Sequence, residues 1–155
     1  MTRLALRELA QRVIHLDAQL AAITTRLARI THATAPGLLA IKGVGPDVAA
    51  TLLVTAGDNP DRLSHEAAFA ALCGSNPIPA SSGKTTRYRL NRGGDRAANA
   101  ALWRVVLVRM SCDQRTRDYV QRRTAEGKTK PEIMRCLKRY LAREIYLALP
   151  LTAPS

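Results

Sequence analysis

The chain has 155 residues, enough for one domain, or one domain plus an extended helix, with a core that needs no disulfide or metal. Hydrophobic residues make up 46% of it and aromatics 4%, so an Ala- and Leu-rich helical core is expected, while scattered cysteines (Cys73, Cys112, Cys136) and histidines (His15, His32, His65) exclude a disulfide framework or zinc site. The net charge is +12, and residues 81–155 hold almost all of it, with 17 Lys and Arg against six Asp and Glu, as a surface that follows phosphates would. Every long apolar stretch is interrupted by Arg or Lys, so no membrane span or signal peptide is expected, and a reduced cytoplasmic setting is.

In chain order, Leu6, Leu9, Val13, Leu16, Leu20, Ile23, Leu27 and Ile30 alternate spacings of three and four with no Gly or Pro before Pro36. That is a heptad seam, and residues 1–35 are predicted to form a coiled-coil helix that pairs with a second copy or folds back on its own domain. Pro36-Gly37 ends it. Residues 38–56 read as a short helix, a turn through Gly43 and Gly45, and a second helix opened by Pro46. The pattern is that of a helix-hairpin-helix, whose backbone N–H groups hold a DNA phosphate, with Lys42 adding charge beside it; a plain helical hairpin closed by glycines has the same spelling.

Ser64 is predicted to cap a helix through about Leu72, with Phe69 and Leu72 inward. Residues 73–95 break every helical rule, the loop proper running over 77–96, and Thr85 to Leu90 suit a short hairpin arm. Asp95 is predicted to cap a helix to about Ser111 that buries Leu102, Val105, Val106 and Met110. Asp113 starts another, ending near Gly127. Thr129 and Glu132 form a capping box for the last helix, which is lined by Ile133, Leu137, Leu141, Ile145 and Leu149. Arg135, Lys138, Arg139 and Arg143 lie off that stripe, and residues 151–155 form a tail. The expected fold is therefore all-α: a coiled-coil helix at 1–35, then a helical domain at 36–150 with one irregular Gly/Ser/Arg loop.

That loop reads Pro77-Ile78-Pro79-Ala80-Ser81-Ser82-Gly83-Lys84, followed by Arg87, Arg89, Asn91, Arg92, Gly93, Gly94, Asp95, Arg96 and Asn99. A serine attacking a phosphodiester needs cations for the non-bridging oxygens and a base for its proton. Lys84, Arg87, Arg89, Arg92 and Arg96 meet the first need, and no histidine is near in sequence for the second. By itself Ser-Ser-Gly is also the spelling of a turn.

The loop, together with Gly43-Val44-Gly45, the helix after Asp95 and Arg135-Cys136-Leu137-Lys138-Arg139-Tyr140, resembles the signature of a family of insertion-sequence transposases. The likeness runs from Leu38 to about Leu149. Full-length members join a RuvC-like DEDD nuclease-fold domain, a coiled coil and a C-terminal domain with a nucleophilic serine. Pilin-gene invertases belong with them, and some members are guided by a bridge RNA.

The resemblance implies that the serine before Gly83-Lys84 becomes joined to DNA: Ser82, with Ser81 as the alternative. It implies that Arg92, Asp95 and Arg96 hold the scissile phosphate or order the helix beneath the serine, with Asn99 in support; Asp95 is also read as a plain cap. The implied function is that of the DNA-binding, serine-nucleophile domain of a transposase, with DNA as partner, a guide RNA admitted, and a homo-oligomer formed through the coiled coil. The metal-binding carboxylates of the family lie in its RuvC-like domain, so no metal ligand or cofactor is expected within this chain. A truncated or split form, inactive alone, is expected. The alternative is a non-catalytic, coiled-coil-dimerised nucleic-acid-binding protein.

Overall fold

The structure, a computed structural model, describes residues 2–57, 60–79 and 88–150. Its elements are, in order, α1 (Thr2–Thr34), α2 (Pro36–Leu39), α3 (Pro46–Ala56), a 3-10 turn (Pro60–Leu63), α4 (Glu66–Leu72), β1 (Ile78–Pro79), β2 (Tyr88–Arg89), α5 (Arg96–Cys112), α6 (Gln114–Ala125) and α7 (Lys130–Ala148). The fold is all-α apart from the two short strands, which pair antiparallel with Ile78 opposite Arg89 and Pro79 opposite Tyr88. Tyr88 and Arg89 of the expected hairpin arm thus pair with a strand upstream at Ile78–Pro79, and Thr85 to Arg87 of that arm lie outside the described residues.

Local chemistry set most of the boundaries. Asp95 caps α5 by accepting the Ala98 N–H at 2.7 Å, and Asp113 caps α6 by accepting the Thr116 N–H at 2.9 Å. The Glu132 carboxylate accepts from the Thr129 N–H at 2.9 Å and from its hydroxyl at 2.7 Å, closing the first turn of α7. Helix α4 departs by one residue from expectation. Its cap is His65, not Ser64, because the ring Nδ1 of His65 accepts the Ala68 N–H at 3.1 Å.

Helices α2–α5 and α7 enclose one hydrophobic core built from Leu38, Leu52, Phe69, Leu102, Val105, Leu141 and Ile145 among others. Met110, expected inside, is half-buried against it. In α7 the buried arc also takes in Met134 and Ala142, so it is wider than the five-residue stripe. Lys138 falls within that arc and is 6% exposed, a correction to its expected place off the apolar side.

Helix α1 is a single rod of 33 residues, roughly 50 Å long at ~1.5 Å per residue. Its last turns sit against α2 and α3, where Thr31 is buried and Leu27 half-buried. Everything before them stands clear: along the seam the exposure runs from 40% at Leu16 to 64% at Leu9. The seam does not fold back on its own chain, and residues 151–155 lie outside the described residues.

Candidate nucleic-acid interface

The irregular loop is anchored by a turn that two glycines make possible. Helix α4 ends at Leu72, and Gly74 follows in the left-handed region at φ +62°. This turns the chain so that the Ser75 N–H donates to the Ala70 carbonyl at 2.8 Å. The other end of the loop returns to the same turn. Gly94 lies so close that a Cβ there would fall on the backbone N and Cα of Gly74. The Asp95 N–H donates to the Leu72 carbonyl at 2.6 Å, tying the start of α5 to the end of α4.

Two asparagines reinforce the junction. Asn91 Nδ2 donates to Asn76 Oδ1 at 2.6 Å while its Oδ1 accepts the Gly93 N–H at 2.8 Å. Asn99 Nδ2 donates to the carbonyls of Cys73 (2.7 Å) and Gly74 (3.2 Å), and its Oδ1 accepts from Lys138 Nζ at 2.9 Å. Burial, with the repulsion of Arg135 second, lowers the Lys138 pKa from its ordinary value. Beneath the same turn the Cys73 thiol is pushed up to about 12 by burial and then by the Asp95 carboxylate. Asn99 therefore reaches from α5 to the turn after α4 and to α7 at once.

On this anchored base stand Arg89, at the end of β2, Arg92, in the return segment, and Arg96, at the first position of α5. All three are exposed, and none has a hydrogen-bond or ion-pair partner among the described residues. They contrast with Arg104, Arg109 and Arg139, which pair with Asp47, Glu144 and Glu66 at 3.1, 2.8 and 2.8 Å. Ser81, Ser82, Lys84 and Arg87 lie outside the described residues; the segment that holds them joins the paired ends of β1 and β2.

The glycine turn between α2 and α3 is a separate feature. Gly43 has φ +86°, and a Cβ there would press on Val105 of α5 at 3.3 Å. Gly45 caps α3 with nothing within 4 Å of a Cβ position, so that side of the turn is open. Lys42 points elsewhere. Its Nζ donates to Asp113 Oδ1 at 3.2 Å and to the Cys112 carbonyl at 3.1 Å, and its own carbonyl accepts from Arg109 Nε at 2.8 Å. The Thr116 hydroxyl and backbone N–H, with Lys42 adding to them, hold the Asp113 carboxyl down at about 2. Asp47, in the first turn of α3, pairs with Arg104. A phosphate at this turn would compete with Asp113 for Lys42 and meet the negative charge of Asp47.

Sequence reasoning named Asn91 and Lys138 without giving either its role at the junction, and it missed the role of Gly74. A punctuating glycine was visible, but nothing local marks which backbone it will meet. Among the described residues no three His, Cys, Asp or Glu side chains converge closely enough to hold a metal ion, and no helix is long and apolar enough to cross a membrane. The described residues thus do not fit the divalent metal that the resemblance assigns to the RuvC-like domain.

Residues 35–121 match the family model described as "Transposase IS116/IS110/IS902 family", a stretch running from the start of α2 through α5 into α6. The chain is also similar to the "Insertion element IS110 uncharacterized 43.6 kDa protein" of Streptomyces coelicolor, 34% identical over 111 residues. That alignment takes in 70% of this chain and 27% of the relative, so the chain spans about a quarter of the relative's length.

Proposed function

Because the chain belongs to the IS116/IS110/IS902 transposase family, we propose that it is a DNA-binding part of a transposase that acts in DNA transposition and carries that protein's nucleophilic serine. One observation supports this above the others: Arg89, Arg92 and Arg96 are exposed and unpaired on a base whose backbone is interlocked at Gly74 and Gly94. Cations left without carboxylate partners suit phosphate oxygens, because no ion pair within the chain has to be broken when the phosphate arrives. Lys84 and Arg87 extend the same basic run in sequence.

In this reading Ser82, or Ser81 beside it, attacks the phosphorus of a DNA strand. Its Oγ forms an ester with the phosphate, the bond from phosphorus to the departing DNA oxygen breaks, and the serine proton passes to a base. Arg92 and Arg96 neutralise the charge that grows on the non-bridging oxygens. Asp95 and Asn99 serve by holding the start of α5. The turn at Gly43 and Gly45 is a second phosphate contact made through backbone N–H groups, with Lys42 available once it leaves Asp113. The exposed seam of α1 pairs with the α1 of another copy, and an RNA guide is a further partner consistent with the charge.

The test is a strand-cleavage reaction in which the chain is supplied with a RuvC-like domain of the family and, where needed, guide RNA. Ser82→Ala should abolish a denaturation-resistant protein–DNA adduct while leaving binding nearly intact, and Ser81→Ala should be milder. Arg92→Ala or Arg96→Ala should slow cleavage about 100-fold or more, the scale of losing one preorganised donor. Loss with Ser81→Ala alone moves the nucleophile by one residue. An adduct that survives both serine variants removes the serine mechanism and leaves a non-catalytic, coiled-coil-dimerised nucleic-acid-binding protein.

A further inference from the structure

The chain has six aromatic residues, one Phe, four Tyr and one Trp, and four of them have a ring partner within the chain, although one of the four, Tyr140, is itself 60% exposed. Phe69 is buried against Tyr146, with ring centroids 6.4 Å apart, and the Tyr146 hydroxyl donates to the Leu63 carbonyl at 2.8 Å. Tyr119 and Tyr140 meet edge to face at 5.8 Å, and Arg122 and Arg123 lie over the Tyr119 ring. The two left over are Tyr88, 60% exposed, and Trp103, 46% exposed. Neither has a ring or cation–π partner among the described residues, and the indole N–H of Trp103 has no acceptor there.

These two residues bracket the unpaired arginines. Tyr88 immediately precedes Arg89. Trp103 follows Arg96 by seven residues on α5, which places it about 20° round the helix from Arg96 and roughly 10 Å further along. Ala100, exposed and small, lies between them and blocks nothing. The opposite side of α5, with Ala98, Leu102, Val105 and Val106, is the buried one. One face of α5 therefore presents, in order, a free guanidinium, a gap and a half-exposed indole.

We propose that Trp103 is a stacking platform for an unpaired base of the nucleic-acid strand whose phosphates Arg92 and Arg96 hold. The inference rests on the nucleic-acid reading above and adds the form of the ligand: single-stranded rather than fully paired. A duplex offers phosphates but keeps its base faces stacked on one another, whereas a single strand turns those faces to any aromatic surface. A protein partner would have to bring a carboxylate to the unpaired guanidinium in line with the indole, whereas every nucleic-acid strand carries a phosphate beside each base.

Trp103 is the chain's one tryptophan, so indole emission reports this position alone. The 155-residue chain is titrated with a short oligothymidylate and with a blunt duplex of equal length, at low salt, following oligonucleotide anisotropy and tryptophan emission together. With the single strand, emission should fall by about half or more in step with binding, and the indole should become shielded from acrylamide. Trp103→Phe should keep single-strand affinity within about threefold, and Trp103→Ala should lose about 5- to 150-fold while hardly changing duplex affinity. Circular dichroism checks that each variant retains its helix content.

Single-strand binding that leaves the emission unmoved and is indifferent to Trp103→Ala would overturn the platform and leave the nucleic-acid reading standing. An indole shielded without DNA, in proportion to protein concentration, would show that a second copy covers this face, and that too overturns it. Failure to bind either oligonucleotide at low salt would remove the nucleic-acid reading itself, and the platform with it.

Discussion

Gly93 and Gly94 are adjacent and chemically identical, yet their surroundings separate them. A Cβ on Gly93 would meet Asn91 Oδ1 alone, at 3.4 Å, whereas one on Gly94 would fall on the backbone of Cys73 and Gly74, which cannot rotate away. Gly94→Ala should therefore cost about 3 kcal/mol or more, the upper end of overpacking, and Gly93→Ala should stay within about 0.5 kcal/mol of wild type. Urea denaturation of the two variants checks this, and equal midpoints would refute the interlock. Lys138 makes a pH prediction at the same scale. Its folded pKa lies below the ordinary 10.5 because burial disfavours the charge. The unfolded chain thus binds the proton more tightly, and the penalty, full at neutral pH, fades as pH rises towards 10.5. Relative to Lys138→Met, which has no charge to lose, the wild type should gain stability as pH rises from neutral towards 10.5. A constant gap in urea midpoint across that range would show that Lys138 has an unperturbed pKa.

The elements differ in how far their own residues explain them. Asp95, Asp113 and the Thr129–Glu132 pair cap their helices as read, because a cap is settled within four residues. His65 displaced Ser64 for an equally local reason that composition hides: an imidazole nitrogen can accept an amide as a hydroxyl can. Helix α1 is the element whose residues say most and whose own chain satisfies least. Its seam from Leu6 to Ile23 is exposed throughout, and alternating spacings of three and four make it complementary to a copy of itself. Self-association through residues 6–30 is expected, and Leu16→Asp with Ile23→Asp should lower the sedimenting mass to that of one chain, since the charges would be buried in the seam. An unchanged mass would mean that α1 does not join copies.

For the molecule as a whole, charge is the first determinant of behaviour. The net +12 concentrates in residues 81–155, and within them some cations are used internally, Arg109 on Glu144 and Arg139 on Glu66 among them. Those left over set how many phosphates can be neutralised. DNA affinity should fall steeply with salt, each neutralised phosphate contributing a log–log slope of roughly −0.9 on duplex, and Arg92→Ala or Arg96→Ala should each reduce the slope by about one. Lys42→Ala should change it less, because Lys42 is already paired with Asp113. Fluorescence anisotropy across a salt series measures all four proteins. An affinity that does not change with salt would exclude the electrostatic reading.

The all-helical class, the rod of α1, three of the helix caps, the glycine-punctuated loop and the basic second half were all determined by the residues in order. Each is a local or summed property: a period of three and four, a capping oxygen three residues from its amide, a count of charges. Tertiary structure alone decided which charges remained free and which glycine was indispensable. Lys42 meets Asp113 across 71 positions and Lys138 meets Asn99 across 39. Gly74 touches Gly94, and Trp103 is left half-exposed while Phe69 is enclosed. No pattern within a helix encodes those meetings, because they depend on how α4, α5 and α7 stack once their apolar faces are buried, and a residue at the edge of a buried arc turns inward or outward with a small rotation of the helix.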